Sequence, residues 1–216
     1  MFASLINILL VLNDHNFQSA VSWLSTQDPI LAKVYEKYGS PPFWSREPGF
    51  PSLVHIILEQ QVSLESALAA FNKLKAAIGV VIPSGFLGLS DEELLQIGFS
   101  RQKKRYVREL ALAIQQGDFD LNKLENQANE VVRADMKRMV GIGDWTVDVY
   151  LLFCLKRADV LPKGDIALYE SIRSLKELPK RPEHHDFIAM TETWRPWRSV
   201  GCMFLWHFYL CERGRS

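Results

Sequence analysis

The sequence MVGIGDWTVDVY, residues 139–150, places one glycine on each side of Ile142 and then restarts a helical pattern at once. A turn that joins two helices in so few residues needs positive φ angles or close backbone approach, and glycine permits both. The N–H groups of Gly143 and of the first helical turn then point outward together and form a site for one phosphate. Thr146 adds a hydroxyl donor, and Ile142 is predicted to pack inward. Taken alone, Gly141 and Gly143 also suit an ordinary tight turn.

Helical spacing dominates the chain on both sides of this turn. Apolar residues three and four apart predict amphipathic helices, and no run alternates with the period of two that a half-buried strand needs. The predicted helical segments are 17–39 with a restart at Asp28-Pro29, 52–79 with Ser63 capping its second half, 91–97, 101–117, 121–138, 143–156, one after 165, and two near 183 and 195. The predicted fold class is therefore all-α, in one domain over residues 1–216, with at most one short strand in residues 5–12.

Composition limits the function classes. The chain is 48% hydrophobic and 23% charged with a formal net charge of zero, so an anionic partner must be met by a local basic patch. The three cysteines, at 154, 202 and 211, form no paired motif and suit a reducing cytoplasm. The apolar N-terminal segment, residues 1–16, lacks a basic flank and is too short to span a bilayer, so no membrane partner is expected.

Four separated stretches in a fixed order resemble one known family. They are MVGIGDWT (139–146), followed about twenty residues later by Gly164-Asp165 within VLPKGDIAL (160–168); LVHIILEQQVSLESALAAF (53–71); GFSRQKKRYVRELA (98–111); and TWRPWRSVGCMFLWHFYL (193–210). Together they resemble the helix-hairpin-helix DNA glycosylase superfamily, in its 3-methyladenine DNA glycosylase II branch. The resemblance implies a compact bilobal helical domain, with a hairpin at about 126–156 and an active-site cleft between the lobes. It also implies a minimal form that lacks the N-terminal α/β domain of larger members.

The resemblance implies a monofunctional glycosylase that flips alkylated purines out of DNA and hydrolyses their N-glycosidic bond in base-excision repair. Asp165 matches the position of the family's essential aspartate, whose carboxylate would stabilise positive charge on the sugar and orient the attacking water. Asp165 can instead serve only as a helix N-cap, and Asp144, Asp148 and Asp159 are competing carboxylates. Trp145 stands where relatives with lyase activity carry a lysine, which implies hydrolysis without strand cleavage.

Aromatic side chains are the predicted recognition elements for the base. Trp145 and Trp206 match positions that line the base pocket in similar enzymes, and Tyr150 is a weaker candidate. Purines alkylated at N3 or N7 carry positive charge, so aromatic faces can bind them through cation–π contacts worth about 0.5–2 kcal/mol each. For each of these residues the alternative is core packing.

Contacts with the DNA backbone and the orphaned base are predicted from two further stretches. Gln61 matches the residue that fills the gap left by an extruded nucleotide, although a solvated glutamine at a helix end is the alternative. The run SRQKKRYVR, residues 100–108, offers Arg101 and Lys104 to phosphates, which would make binding depend strongly on salt. The alternative for this run is a solvated charged surface.

No cofactor is expected to be required. Some similar enzymes bind Na+ or K+ through hairpin carbonyls, which here would be those of Lys137, Met139 and Gly141. Iron–sulfur members of the superfamily need four clustered cysteines near the C-terminus, where this chain has Cys211, so no iron–sulfur cluster is expected.

Three functions fit these observations. The first is the glycosylase described above, a cytoplasmic monomer, associated with the nucleoid if bacterial, whose partner is double-stranded DNA with alkylated bases. The second is a non-catalytic helix-hairpin-helix DNA-binding protein, which would need no carboxylate facing the sugar. The third is a helical scaffold that contacts other proteins through its tryptophans. How the pocket ranks different damaged bases does not follow from the sequence.

Overall fold

A computed structural model describes residues 9–215, and this part of the chain is helical, as predicted. Its helices are α1 Asp14–Gln27, α2 Pro29–Tyr38, α3 Phe50–Glu59, α4 Leu64–Ile78, α5 Pro83–Leu87, α6 Asp91–Ile97, α7 Arg101–Gln116, α8 Asn129–Met136, α9 Asp144–Phe153, α10 Ile166–Leu175, α11 His184–Met190 and α12 Arg198–Cys211. Two 3-10 segments, Leu121–Asn126 and Glu192–Trp194, complete the secondary structure. Helix α5 was not predicted, and the segment predicted as one helix over 121–138 divides into the first 3-10 segment and α8.

The predicted strand at residues 5–12 is reduced to a single bridge within the described residues. Val11 and Arg157 form an isolated antiparallel bridge, flanked by a hydrogen bond from the Leu12 N–H to the Lys156 carbonyl at 2.7 Å. Residues 1–8 lie outside the described part of the chain. No helix in residues 9–215 is both long and apolar enough to cross a bilayer.

Polar side chains cap the first turns of α2 and α4 at the positions that the sequence predicted. The Asp28 carboxylate accepts the Ile30 N–H at 2.9 Å, which allows α2 to start at Pro29 directly after α1. The Ser63 hydroxyl accepts the Ser66 N–H at 3.2 Å and caps α4. Both caps satisfy N–H groups that a helix start would otherwise leave without acceptors.

The described helices divide into two compact units, residues 46–155 and residues 9–45 with 156–215. In the first unit α3 is buried along most of its length and packs against α4, α7 and α9. This packing places the end of α3 beside the glycine turn between α8 and α9. The prediction of one domain over the whole chain stays a prediction.

The second unit is built around α12, whose residues 199–205 are all buried. Helix α12 packs against α10, α1 and α2. Gly201 lies so close to Trp194 that an added Cβ would come within 2.2 Å of the indole ring, which explains a glycine in the middle of this helix. Trp194 itself is fully buried and fills the space beside α12.

Candidate functional site

The glycine turn between α8 and α9 uses its two glycines for different reasons. Gly141 has a φ of +82°, and a Cβ there would lie 2.1 Å from the Tyr106 ring, so the fold itself requires glycine. Gly143 is exposed, has a φ of −102°, and a Cβ there would meet nothing within 4 Å. The open space in front of Gly143 is therefore available to a ligand. Ile142 is 5% exposed, which confirms that it pins the turn to the core.

No side chain caps the start of α9. The first turn of a helix directs its N–H groups along the axis, so an uncapped start is suited to an anion. Asp144 in this first turn would oppose an anion, but the Lys137 ammonium lies 2.5 Å from its carboxylate and compensates the charge. This ion pair accounts for the presence of an acid beside the predicted phosphate site.

Thr146 and Gly141 are brought together by Gln60, a residue to which the sequence had assigned no role of its own. The Gln60 side-chain amide donates to the Gly141 carbonyl and to the Thr146 hydroxyl, each at 2.9 Å. Thr146 is only 2% exposed, so its oxygen is directed into the protein towards Gln60. Its predicted contact with a phosphate stays a prediction. The glutamine pair at 60–61 was the available signal, but the contact spans more than 80 residues of sequence.

Gln61 stands at an exposed position directly after α3 and its C-cap residue. Its φ of +58° lies in the left-handed region, which is uncommon for residues other than glycine. An exposed side chain on such a backbone suits the predicted role in filling a gap in DNA.

The predicted cation ligands are partly engaged by hydrogen bonds. The Met139 carbonyl accepts the Ile142 N–H at 3.2 Å, and the Gly141 carbonyl accepts the Gln60 amide. A carbonyl oxygen has two lone pairs, so each of these oxygens can still offer one to Na+ or K+, as can that of Lys137. Among residues 9–215 no group of three or more His, Cys, Asp or Glu side chains is arranged to hold a metal ion.

Two cationic side chains of the basic run on α7 are paired with the same acid within the protein. Lys104 and Arg108 lie 3.1 Å from the two oxygens of Asp91, and these contacts hold the pKa of that carboxyl below its usual range. The Lys104 side chain is 14% exposed, so this predicted phosphate contact is mostly covered and already paired. Arg101 is exposed at the first residue of α7 and forms no ion pair with the described residues, so it is the better placed of the two predicted contacts.

Tyr150 is a core residue, contrary to its prediction as part of a base pocket. It has no exposed surface, its hydroxyl accepts the Gly49 N–H at 3.0 Å, and burial raises the pKa of the phenol. The reason is that α9 is buried on all sides from residue 146 to residue 152. Trp145, one residue before this buried stretch, keeps part of its surface exposed and remains a candidate.

Asp165, predicted as the catalytic carboxylate, and Trp206, predicted to line the base pocket, are in contact within the unit of residues 9–45 and 156–215. Asp165 is the N-cap of α10, and its Oδ1 accepts the Leu168 N–H at 3.0 Å and the Trp206 indole N–H at 3.2 Å. Asp165 is 8% exposed, whereas Trp206 is half-buried. The capping role is therefore confirmed, and the same contacts fix the orientation of a carboxylate beside an aromatic ring.

The competing carboxylates are each bound to a cationic side chain. Asp148 is 1% exposed and forms an ion pair with Arg133, while Asp144 is bound to Lys137. Asp159 is held by the guanidinium groups of two arginines, Arg195 at 2.6 Å and Arg198 at 2.9 Å. Charge-assisted pairing of this kind stabilises the structure around these three carboxylates.

The chain matches the family described as HhH-GPD superfamily base excision DNA repair protein over residues 54–198. This protein belongs to the HhH-GPD superfamily. The matched residues include the glycine turn, Gln60-Gln61 and Asp165, whereas Trp206 lies beyond them.

Individual relatives in this superfamily are similar over most of the chain. The Bacillus subtilis protein YfjP is 26% identical over 82% of this chain, which spans 64% of that relative's length. The structure of Schizosaccharomyces pombe 3-methyladenine DNA glycosylase (Mag1) in complex with abasic DNA superposes with a TM-score of 0.79 at 26% identity, covering 87% of this chain and 95% of Mag1. A DNA-3-methyladenine glycosidase of Bacillus halodurans superposes with a TM-score of 0.73 at 29% identity, covering 91% and 93% of the two chains.

Proposed function

We propose that this HhH-GPD protein is a DNA glycosylase that hydrolyses the N-glycosidic bond of alkylated purines, of the 3-methyladenine and 7-methylguanine type, in base-excision repair. The observation that carries the proposal is Asp165, oriented by the Leu168 N–H and the Trp206 indole at the start of α10. The similarity to Mag1, named as a 3-methyladenine DNA glycosylase and solved with abasic DNA, supports the same reaction because removal of a base leaves an abasic site.

The proposed chemistry begins when the damaged nucleotide is extruded from the duplex, since the bond at C1′ is otherwise inaccessible. The bond between C1′ and the base nitrogen breaks with its electron pair going to the base. Positive charge then builds on the sugar, which the Asp165 carboxylate stabilises electrostatically. Water adds to C1′ and gives up a proton, for which Asp165 is the proposed acceptor. Trp145 offers no amine that could attack C1′ in place of water, so the proposed enzyme has no lyase activity.

Binding of double-stranded DNA by a monomer is proposed to use the uncapped start of α9, with Gly143 allowing close approach of a phosphate. Arg101 adds a phosphate contact at an exposed position. Trp145 and Trp206 are proposed to contact the cationic base. A monovalent cation on the hairpin carbonyls is a further proposal, tested by comparing DNA affinity in K+, in Na+ and in a bulky organic cation at equal ionic strength.

The function is tested by incubating the full chain with methylated duplex DNA and measuring the released bases by mass spectrometry. Free 3-methyladenine and 7-methylguanine are expected, with strands that break only after alkali treatment. Retained DNA affinity without any released base would contradict the proposal and favour a non-catalytic DNA-binding protein. Failure to bind DNA would instead favour a scaffold for other proteins.

The position of Trp145 has its own test. Trp145→Lys introduces an amine that can form a Schiff base with C1′ if residue 145 faces the sugar. Borohydride is expected to trap a covalent complex of this variant with damaged DNA and none of the unchanged protein. Absence of the trapped complex in a folded variant would contradict the proposed orientation of residue 145.

A further inference from the structure

The C-terminal end of α3 is held at three consecutive residues by three different parts of the same unit. The Leu58 carbonyl accepts the Lys103 ammonium of α7 at 2.7 Å. The Glu59 carboxylate, 6% exposed, binds both terminal nitrogens of the Arg46 guanidinium at 2.6 and 3.0 Å. The Gln60 amide then reaches the hairpin. A helix end fixed in this way has little freedom to move independently of its surroundings.

Gln60 is the member of this set that contacts the proposed DNA-binding turn. An amide group carries two N–H donors, and those of Gln60 meet two acceptors, the Gly141 carbonyl and the Thr146 hydroxyl, both at 2.9 Å. One acceptor precedes Gly143 and the other lies in the first turn of α9, so the two contacts bracket the uncapped helix start. No carboxylate could replace this amide without repelling the carbonyl.

The next residue along the chain is Gln61, whose left-handed backbone presents its side chain to solvent. Gln60, which binds the hairpin, and Gln61, which is proposed to enter the DNA, are therefore adjacent in the chain. Any displacement of the hairpin relative to α3 would be passed directly to Gln61.

We infer that Gln60 is a positioning residue, which couples the phosphate-binding turn to Gln61 so that holding the strand and filling the gap left by the extruded nucleotide occur together. The inference rests on the proposed function, because it assigns Gln61 to that gap. Gln60 does not itself contact the reacting atoms. Its loss should therefore impair insertion of Gln61 more than it impairs binding of the backbone.

The test uses the full chain and a duplex that carries a tetrahydrofuran abasic analogue opposite 2-aminopurine, whose fluorescence rises when the orphaned base is unstacked. Gln60→Met keeps the length of the side chain and removes both donors. Loss of two hydrogen bonds is expected to slow single-turnover base release about tenfold. The 2-aminopurine signal at saturating protein is expected to fall by more than half, with affinity for the abasic duplex changed less than about threefold. Gln61→Ala gives the signal expected when insertion fails completely.

Ser199→Ala is the matched control. Ser199 is fully buried, donates to the Arg157 carbonyl at 2.6 Å and accepts the Val160 N–H at 3.0 Å, so this variant also loses two hydrogen bonds, but in the other unit. It should melt earlier than the unchanged protein and keep the full fluorescence signal. A full signal from Gln60→Met, or an equal loss from Ser199→Ala, would overturn the inference.

Two further outcomes are distinguishable. The fluorescence assay needs no base release, so an inactive wild-type protein that still shows the signal would contradict the proposed function and leave the coupling supported. If circular dichroism shows that Gln60→Met is unfolded, Thr146→Val removes one of the two acceptors while leaving Gln60 in place. Thr146→Val is expected to lose less of the 2-aminopurine signal than Gln61→Ala, and an unchanged signal would overturn the coupling.

Discussion

Asp28 at the start of α2 and Asp165 at the start of α10 are held in almost the same way within one unit. Each is an N-cap, each is 8% exposed, and each accepts a backbone N–H of its own helix. Each also accepts an indole N–H, from Trp194 at 2.7 Å and from Trp206 at 3.2 Å. Trp194 is fully buried, whereas Trp206 keeps exposed surface. Capping geometry alone therefore does not identify a functional carboxylate, and the partly exposed aromatic partner distinguishes Asp165.

The Asp28–Trp194 and Asp165–Trp206 pairs should differ most in the stability that is lost when the tryptophan is removed. Trp194→Ala is expected to lower the free energy of unfolding by about 3–5 kcal/mol, because a fully buried side chain leaves a cavity. Trp206→Ala should lower it by less than half as much, since part of its surface is already in water. Urea denaturation measures both values. Equal losses would show that Trp206 is a packing residue like Trp194.

A second variant pair tests what the exposed face of Trp206 does. Trp206→Leu and Trp206→Phe both lose the indole N–H that binds Asp165, but only phenylalanine keeps an aromatic face. Release of 7-methylguanine is expected to be about tenfold slower in Trp206→Leu than in Trp206→Phe, because a cation–π contact with the charged base is lost. Single-turnover kinetics measure the two release rates, and equal rates would rule out a role for the ring face.

The start of α9 extends the comparison, since no side chain caps it. Gly143→Ala is expected to fold normally, because its φ suits any residue and its Cβ meets nothing in the protein. Affinity for abasic duplex, measured by fluorescence anisotropy, should fall about fivefold as the added methyl group displaces a phosphate from the helix start. Unchanged affinity would contradict the proposed phosphate site.

The smallest difference is expected from removing the two caps. Asp165→Ala should lower the free energy of unfolding by about 1 kcal/mol through loss of the cap. Asp28→Ala should lower it by about 2 kcal/mol, because it also leaves the indole N–H of the fully buried Trp194 without an acceptor. The denaturation midpoint of Asp28→Ala should therefore be the lower of the two, and the reverse order would contradict the contrast between the two pairs.

Local patterns in the sequence were sufficient for most of the helices, although not for α5, and for the glycine turn and the cap at Asp165. Helical period, capping residues and glycine conformation act over a few neighbouring residues, so they can be recognised without a fold. The inward position of Ile142 followed from the same local logic.

Features that depend on distant residues could not be predicted in this way. The sequence around Asp28 does not indicate its hydrogen bond to Trp194, which lies 166 residues further along the chain. The sequence around Lys104 suits a phosphate contact, but in the structure Lys104 is paired with Asp91 from the preceding helix. The prediction for Tyr150 was wrong because an aromatic ring suits a base pocket as well as a core. Only the packing on every side of α9 shows that this ring belongs to the core.

Asp165 is proposed to act on the sugar, whereas Asp28 is proposed only to stabilise structure. Single-turnover release of 7-methylguanine from duplex DNA by Asp165→Asn and Asp28→Asn, with affinity for abasic duplex measured in parallel, separates these two roles. Asp165→Asn is expected to release the base about 100- to 1000-fold more slowly than the unchanged protein at similar affinity, and Asp28→Asn within about threefold of it. Release by Asp165→Asn at the unchanged rate, or an equal loss in a folded Asp28→Asn, would contradict the catalytic role of Asp165.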